Sequence, residues 1–193
     1  ASCAADHMRI WARRLLCLEP MVISEEEHEQ MPEPVRERLE ALKDAPGSVI
    51  VVGSMNADYT VTTKRLPKPG ETVNGGAMKV LPGGKGANQA VACSKLGAET
   101  YMIGAVGDDP FGGICYDSLQ KYGCSCKFVE KLSDTSTGVA SIWVIDNDNR
   151  IVLDGGANMK LKKESVVGII EEECTAGDVL VCQLEIEAAV VEA

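Results

Sequence analysis

The sequence is poor in aromatic residues and in positive charge. Phe, Trp and Tyr make up only 4% of the 193 residues, which argues against a surface that stacks the bases of single-stranded nucleic acid. The formal net charge is −10, the wrong sign for a protein that binds a phosphate backbone. These two shortages predict that nucleic acid is not a partner.

Long apolar runs and cysteines at the spacing of zinc ligands are also missing. No run of 18 or more apolar residues occurs, so we expect no membrane span. None of the eight cysteines forms a C-x-x-C pair, and Cys124 and Cys126 lie too close together for usual zinc spacing. We therefore expect no metal site in the chain and reduced, mostly buried thiols in a cytoplasmic protein, with a nuclear location left open.

Residues 1–47 differ in texture from the rest of the chain. Arg9 to Leu18 is basic and apolar, Ser24 to Gln30 is acidic, and Pro32 to Gly47 has the pattern of a short helix. The basic stretch is short and poor in serine, and acidic residues soon follow it, so we do not expect it to target mitochondria. We predict that residues 1–47 form a weakly ordered extension with short helices and that residues 48–193 form the domain.

From residue 48 onward, predicted strands alternate with predicted helices. Such alternation predicts an α/β fold with a mainly parallel sheet and helices on both faces. The helix at Asp108–Gly123 has Asp109 at a good N-cap position and Pro110 in its first turn. The predicted strands are SVIVVGS, TYMIGAVG, CKFVEK and DVLVCQLE, and the other predicted helices are Ala87–Gly97 and Lys162–Glu173.

Two segments break this alternation and predict a small antiparallel sheet. Tyr59–Val73 alternates and turns at Pro67–Gly70, and Gly138–Asn158 has the pattern of a hairpin with its turn at Asp146–Asn149. We place the strands of this lid at about residues 59–80 and 138–154. The residues expected on its apolar face are Val139, Ile142, Val144, Ile151 and Leu153, with Trp143 on the other face.

The stretch LPGGKGANQA combines three glycines and a lysine before a predicted helix. A P-loop would need glycine where Lys79 stands and Ser or Thr where Gly86 stands. The dinucleotide motif G-x-G-x-x-G, begun at Gly84, would need glycine where Gln89 stands. The glycines would let backbone approach a ligand, and the helix is expected to begin with its N–H groups free to bind.

A longer pattern resembles a known family. Gly83-Gly84-Lys85-Gly86-Ala87-Asn88-Gln89-Ala90, followed at fixed spacing by Gly97 and Gly107, is similar to the first signature of the PfkB carbohydrate kinases, and most similar to the ribokinase branch. The resemblance runs from about Val49 to the last residue. The other segments that carry it, in the family's order, are VVGSMNAD, LPKPGETV, VGDDPFG, TGVASI, GGAN and VCQLE.

The resemblance implies a fold, a reaction and partners. It implies a Rossmann-like domain with a β lid that covers the sugar and forms a homodimer contact. It further implies ATP-dependent phosphorylation of the 5-hydroxyl of D-ribose, with Mg²⁺ and a monovalent cation such as K⁺, whose sites lie largely outside this chain. A non-catalytic sugar-binding or dimerising protein, and a related kinase for another sugar or nucleoside, stay open as alternatives.

The candidate site residues follow from chemistry and resemblance together. Asn56 and Asp58 lie two positions apart after a buried strand, so an extended backbone points both side chains one way, and a carboxylate can accept protons from two hydroxyls at once. Without the resemblance, Asp58 also suits a turn, Lys85 a solvated position and Glu185 a helix N-cap. The positions that match the family's sugar contacts are Asn56, Asp58, Gly84, Lys85, Asn88 and Glu185. The departure from the family is Pro82, where glycine or an aromatic residue is usual.

The family's second signature has no counterpart in these 193 residues. That signature is a G-A-G-D motif that opens a helix and supplies the catalytic base and an anion hole. Thr175–Asp178 (TAGD) leads into a predicted strand instead, so we predict a loop there. The chain begins with Ala1 and ends in AAVVEA, and we expect it to be a fragment with the C-terminal half of the fold absent, without a catalytic base and inactive alone.

Overall fold

A computed structural model describes Glu33 and residues 47–146, 148–175 and 177–192. The predictions for residues 1–47 lie outside this range except at Glu33 and Gly47. The strands are β1 (Val49–Val52), β2 (Asn56–Thr62), β3 (Lys79–Gly83), β4 (Thr100–Gly107), β5 (Ser125–Leu132), β6 (Gly138–Ile145), β7 (Asp148–Asp154) and β8 (Val179–Cys182). The helices are α1 (Lys85–Lys95), α2 (Pro110–Lys121), a 3₁₀ helix (Gly156–Lys160), α3 (Lys163–Glu173) and α4 (Ala188–Val191).

Sheet A is the parallel sheet that the alternating pattern predicts. Its strand order is β5-β4-β1-β8, and every neighbouring pair is parallel. β1 is buried along its whole length because its alternate side chains enter two different cores. Val49 and Val51 face one core, whereas Ile50 and Val52 face the other. Burial on both sides explains why this strand is an unbroken apolar run.

Helices cover both faces of sheet A, as predicted. On one face the core includes Ala90 of α1 and Leu119 of α2. On the other face it includes Ala157 of the 3₁₀ helix, Val166 of α3 and Val190 of α4. The sheet therefore forms the middle of three layers, and the carboxyl end of β1 runs from this sandwich directly towards β2.

The helix ends agree with the sequence signals. Asp109 is the N-cap of α2, and its carboxylate accepts a hydrogen bond from the Gly112 N–H at 2.8 Å. The same carboxylate accepts bonds from the N–H and hydroxyl of Thr137 at 2.8 and 2.7 Å. Asp109 thus joins the start of α2 to the segment that enters β6.

Sheet B is mixed, so the prediction of a purely antiparallel lid was wrong in one pairing. Its order is β3-β2-β6-β7. The β2–β3 and β6–β7 pairs are antiparallel, and the second is the predicted hairpin. β2 and β6 are parallel, because the chain builds β3, α1, β4, α2 and β5 between them and no hairpin sets their relative direction.

Two details of sheet B also differ from the sequence prediction. The lid strands placed at about 59–80 are β2 and β3, but the segment between Thr62 and Lys79 contains no strand, so the connection is longer than the predicted turn at Pro67–Gly70. Val139 and Trp143 are four residues apart in β6, so strand alternation puts their side chains on the same face of sheet B. Ile142 lies on the opposite face, and Val139 therefore does not belong to the predicted apolar face. Pro82 lies in β3, an edge strand, where a missing N–H is tolerated.

β8 is shorter than the predicted strand at Asp178–Glu185. It lies at the edge of sheet A and pairs on one side with β1. Val179 and Leu180 are about half exposed, at 49% and 48%. The run of apolar residues correctly predicted a strand here. Its burial depends on neighbouring strands, and within the described residues β8 has one such neighbour, β1.

Candidate functional site

Asn56 begins β2 directly after the turn that leaves sheet A. In the sheet B register its two cross-strand neighbours are both glycines, Gly83 of β3 and Gly138 of β6. Glycine has no side chain, so the register leaves room over Gly83 and Gly138, on either side of Asn56, and polar side chains fill it; we call this strip of sheet B the trough. Asn56 itself is only 3% exposed. The start of β2 therefore gathers polar side chains over two positions that have no side chain of their own.

Asp58 occupies the Gly83 side of this trough. A Cβ atom at Gly83 would collide with the carboxylate of Asp58, so only glycine allows this position. Asn56 and Asp58 lie two apart on one extended strand and point to the same face, as the sequence predicts. Burial, and secondly the negative charge of Glu185, raise the pKa of Asp58 from 3.8 to about 6.

Gly84 brings the loop before α1 against the start of β2. Its φ of +91° is a conformation that other residues rarely adopt. A Cβ atom there would lie 2.7 Å from the carbonyl oxygen of Ser54 and 2.8 Å from the backbone nitrogen of Asn56. Gly84 is thus required for close packing of two backbone segments, both of which border the trough.

The N–H groups at the start of α1 are occupied, and the expectation that they are free was wrong. The Lys85 N–H donates to Glu185 Oε2 at 3.2 Å, and the Ala87 N–H donates to the carbonyl of Ser54 at 2.9 Å. The Gly86 N–H donates to the Ser54 hydroxyl oxygen at 3.5 Å. Buried N–H groups need partners, and tertiary contacts supply them before any ligand does.

Glu185 joins three elements at the carboxyl end of sheet A. Its carboxylate accepts hydrogen bonds from the Ser54 hydroxyl at 2.8 Å and from the Lys85 side chain, and it lies three residues after β8. Burial acts to raise the pKa of Glu185, but the hydrogen bonds from Lys85 and Ser54 outweigh it and hold the pKa below its ordinary value. It does not cap α4, whose N-cap is Glu187.

The structure brings most of the predicted residues together. Asn56, Asp58 and Gly84 meet at the trough, and Glu185 is close enough to Asp58 to change its pKa. Lys85 is paired with Glu185, although its side chain is 67% exposed. Asn88 lies in the first turn of α1 and is half-buried, and contact of these residues with a sugar stays a prediction.

Two buried amides beside the site were missed as site residues. Asn158, in the 3₁₀ helix, is 1% exposed and hydrogen-bonds both Met55 and Asn56. Gln183 accepts a hydrogen bond from the Glu185 N–H through its Oε1. Both residues belong to segments that carry the family resemblance, GGAN and VCQLE, and that position was the signal available in the sequence.

The described residues of TAGD, Thr175, Gly177 and Asp178, belong to no helix or strand, in agreement with the predicted loop. Asp178 accepts hydrogen bonds from the Thr175 N–H at 2.7 Å and from the Ser48 N–H at 2.6 Å. These bonds close the connection from α3 to β8 and tie it to the start of β1. The backbone donors that surround Asp178 hold its pKa below the ordinary value. These hydrogen bonds give the Asp178 carboxylate a structural role in the loop before β8.

Neither a metal centre nor a membrane span is found in the described part of the chain. Within residues 47–146, 148–175 and 177–192, no three His, Cys, Asp or Glu side chains are grouped closely enough to hold a metal ion. Among the helices of the same ranges, none has the length and apolar character that crossing a membrane requires.

Comparisons with known proteins agree on one family. The sequence profile of the pfkB family carbohydrate kinases matches residues 47–190. The chain is 39% identical over 125 residues to a ribokinase of Bacillus subtilis, a match that covers 65% of this chain and 43% of that protein. It is also 39% identical over 142 residues to a deoxyribokinase of Salmonella typhi, covering 72% of this chain and 45% of that protein.

A solved structure shows the same fold. The ribokinase of Arabidopsis thaliana, complexed with ribose and ATP, matches with a TM-score of 0.64 and 32% identity. The match covers 75% of this chain and 47% of that one. The chain therefore spans about half the length of the relatives that it matches.

Proposed function

The chain belongs to the pfkB family of carbohydrate kinases, and we propose that it carries the sugar-binding part of an enzyme that phosphorylates D-ribose to ribose 5-phosphate with ATP. One observation carries the proposal. A carboxylate and a carboxamide, those of Asp58 and Asn56, lie side by side in a trough flanked by Gly83 and Gly138. A carboxylate and a carboxamide next to each other suit a small polyhydroxylated ligand.

In this proposal the residues of the chain bind and orient the sugar. Ionised Asp58 accepts protons from sugar hydroxyls, and Asn56 forms a hydrogen bond beside it. Gly83 leaves room for the Asp58 carboxylate and Gly84 brings the loop before α1 against β2. Gly84, Lys85, Asn88 and Glu185 are placed at the rim where α1 begins. Fixed orientation of the reacting hydroxyl is the contribution that such a site makes to phosphoryl transfer.

Phosphoryl transfer also needs a bound nucleotide, a metal ion and a catalytic base, and the sugar-site residues supply none of these. A ribokinase of Arabidopsis thaliana is described with ribose and ATP, which supports ATP as the co-substrate. The described residues gather no carboxylate or histidine cluster for Mg²⁺, and they do not fit such a site. We therefore assign no step to Mg²⁺ or K⁺ in this chain, and no residue of it the role of catalytic base.

Deoxyribose is the second candidate substrate. The deoxyribokinase of Salmonella typhi is as similar to the chain, at 39% identity, as the ribokinase of Bacillus subtilis. The two sugars differ by one hydroxyl, and a site that hydrogen-bonds this hydroxyl rejects the sugar that lacks it. Binding of both sugars to one preparation decides between the two substrates.

Calorimetry with ribose tests the proposal directly. Asp58→Ala should weaken ribose binding by roughly 1–3 kcal/mol, because sugar hydroxyls lose their acceptor. Asp117→Ala is the matched control, since Asp117 is an exposed aspartate on α2 away from the trough, and it should bind ribose as the unmodified chain does. Equal affinity of the Asp58 variant and the unmodified chain would remove Asp58 from the site.

A further inference from the structure

We propose that Asn158 is a positioning residue that sets which end of the Asn56 side chain faces the ligand. The inference rests on the proposed function, since it concerns the same sugar site. Asn158 is fully buried in the segment that follows the β6–β7 hairpin, whereas Asn56 begins β2. A hydrogen bond of 2.8 Å joins Asn158 Nδ2 to Asn56 Oδ1.

The backbone of Met55 determines the orientation of the Asn158 amide. The Met55 N–H can only donate, so the Asn158 atom 2.8 Å from it must be the oxygen, Oδ1. The Met55 carbonyl can only accept, and it lies 3.1 Å from the other end of the amide, which must therefore be Nδ2. Exchanging the two ends would place acceptor against acceptor and donor against donor.

The orientation then passes from Asn158 to Asn56. Because Asn158 presents Nδ2, the Asn56 atom that meets it must be the acceptor Oδ1. The amide nitrogen of Asn56 is thereby turned away from Asn158, and it makes no hydrogen bond within the part of the chain that the structure describes. The orientation of the Asn56 N–H donor is thus specified by the backbone of Met55 through one intermediate residue, Asn158.

Gly138 leaves room for this arrangement. A Cβ atom at Gly138 would collide with both Asn158 Nδ2 and Asn56 Oδ1, so the hydrogen bond crosses directly over the glycine. The loop that carries Asn158 is held to the same place, because the Ala157 N–H donates to the Ser136 carbonyl at 2.8 Å. Asn158 therefore cannot move away from Asn56 without separating the 3₁₀ helix from the start of β6.

The consequence is a site with two different polar groups next to each other. Asn56 offers a donor and ionised Asp58 offers an acceptor, which suits neighbouring hydroxyls of which one accepts and the other donates. With the Asn56 amide reversed, two acceptors would stand together, and a hydroxyl oxygen would have no donor. Asn158 thus contributes to ligand selection without contacting the ligand.

Nuclear magnetic resonance of the side-chain amides tests the orientation without any ligand. In the unmodified chain the Asn158 NH₂ protons should exchange slowly with water, because both are bonded, and the Asn56 NH₂ protons should exchange faster than those of Asn158. In Asn158→Asp, a carboxylate oxygen faces Asn56, so the Asn56 amide should reverse and its protons should become protected. Asn56 protons that exchange as slowly as those of Asn158 in the unmodified chain, or that Asn158→Asp does not slow, would overturn the inference.

Ribose affinity tests the effect on binding. Asn158→Asp should weaken ribose binding roughly 5- to 100-fold in folded protein, and the same substitution made on an Asn56→Ala background should have no further effect. A purely structural role would give equal losses on both backgrounds, which would overturn the inference. Asn158→Ser, a smaller change at the same position, serves if Asn158→Asp does not fold, and it should show the same dependence on Asn56.

The two proposals fail in different ways. Absence of ribose binding by the unmodified chain, with the exchange pattern as described, would contradict the proposed sugar and support the orientation of Asn56. Tight ribose binding that Asn158→Asp leaves unchanged would support the sugar site and overturn the role of Asn158.

Discussion

Asp58 shows how the environment of a single side chain sets its chemistry. Its carboxylate rests against the backbone at Gly83, half-buried, with Glu185 as a negative neighbour. Burial and then this neighbouring charge raise its pKa to about 6. The proton therefore leaves Asp58 near the lower end of the physiological range, and the protonated form cannot accept hydroxyl protons with both oxygens.

We predict that ribose binding strengthens as the pH rises through about 6, the pKa of Asp58. The pKa of Asp58 in the folded chain is above its ordinary value of 3.8, so the folded chain favours the protonated form. The contribution of Asp58 to stability is therefore lost as the pH rises from 3.8 to about 6. The ionised form is the one proposed to bind the sugar, so affinity should rise with pH while the contribution of Asp58 to stability falls. Calorimetric titrations from pH 5 to pH 8 measure the affinity.

Glu185→Gln supplies the control for that pH dependence. It removes the second cause of the shift and leaves burial, the first, so the midpoint should move down only part of the way to the ordinary pKa of Asp58. Asp58→Asn should bind weakly at every pH. A pH-independent affinity in the unmodified chain would contradict the assignment of Asp58 as the titrating acceptor.

At the scale of elements, α2 contains two adjacent glycines in opposite environments. A Cβ atom at Gly112 would collide with the carbonyl of Gly107 and lie 3.0 Å from the hydroxyl of Thr137. A Cβ atom at Gly113 would meet nothing within 4 Å. The first glycine therefore allows α2 to pack against the end of β4, whereas the second only adds flexibility to the helix.

We predict opposite effects of alanine at these two positions. Gly113→Ala should raise the free energy of unfolding by about 0.5–1 kcal/mol, because alanine favours a helix over the unfolded chain. Gly112→Ala should lower it by roughly 1–3 kcal/mol, because the new methyl group displaces backbone. Urea denaturation followed by circular dichroism measures both, and destabilisation by both substitutions alike would show that the space around Gly113 is closed.

At the scale of the whole molecule, sheet B presents an apolar face on the same side as Asp58. The face contains Ile142 of β6 together with Ile151 and Leu153 of β7, which are 53% and 46% exposed. A small sheet with one exposed apolar face suits a symmetric contact with a second copy. We propose that this face forms a homodimer.

Ile151→Asp should shift the chain towards monomer, since it places a charge in the proposed contact. Val152→Asp is the matched control, because Val152 is 68% exposed on the opposite face of the same strand and should leave the dimer intact. Sedimentation velocity over a range of concentrations measures both. A folded, unmodified chain that stays monomeric at high concentration would contradict the homodimer.

We also predict that this 193-residue chain alone does not phosphorylate ribose. Its sequence contains the proposed sugar site but no G-A-G-D segment, and Asp178 of TAGD is bonded to the backbone N–H groups of Ser48 and Thr175. Loss of a general base typically lowers a rate about 10²–10⁴-fold, and loss of nucleotide binding adds to this. An ADP-release assay with ribose, ATP, Mg²⁺ and K⁺ measures turnover.

Ribose-dependent turnover at ordinary kinase rates that Asp178→Asn abolishes would show that TAGD supplies the base. Turnover that appears only after a G-A-G-D segment is appended would support the proposal that this chain binds the sugar and that the appended segment supplies the catalytic base.

Local patterns in the sequence were sufficient for most of the architecture. The unbroken apolar runs of β1 and β4 predicted a parallel sheet, and Asp109 with Pro110 predicted the start of α2. These features depend on residues near one another in the chain, so they can be inferred from spacing. The family match likewise agreed with the segments that carried the resemblance.

Long-range contacts decided what spacing could not. The parallel β2–β6 pair, the occupied N–H groups of α1 and the orientation of Asn56 each depend on partners distant in sequence, and Asn158 lies 102 residues from Asn56. Asparagine residues have no periodicity that reveals their partners. The sequence alone thus determined the layers and the residues near the trough, and the tertiary structure decided their hydrogen bonds, because a buried polar group is satisfied by whichever partner the fold brings to it.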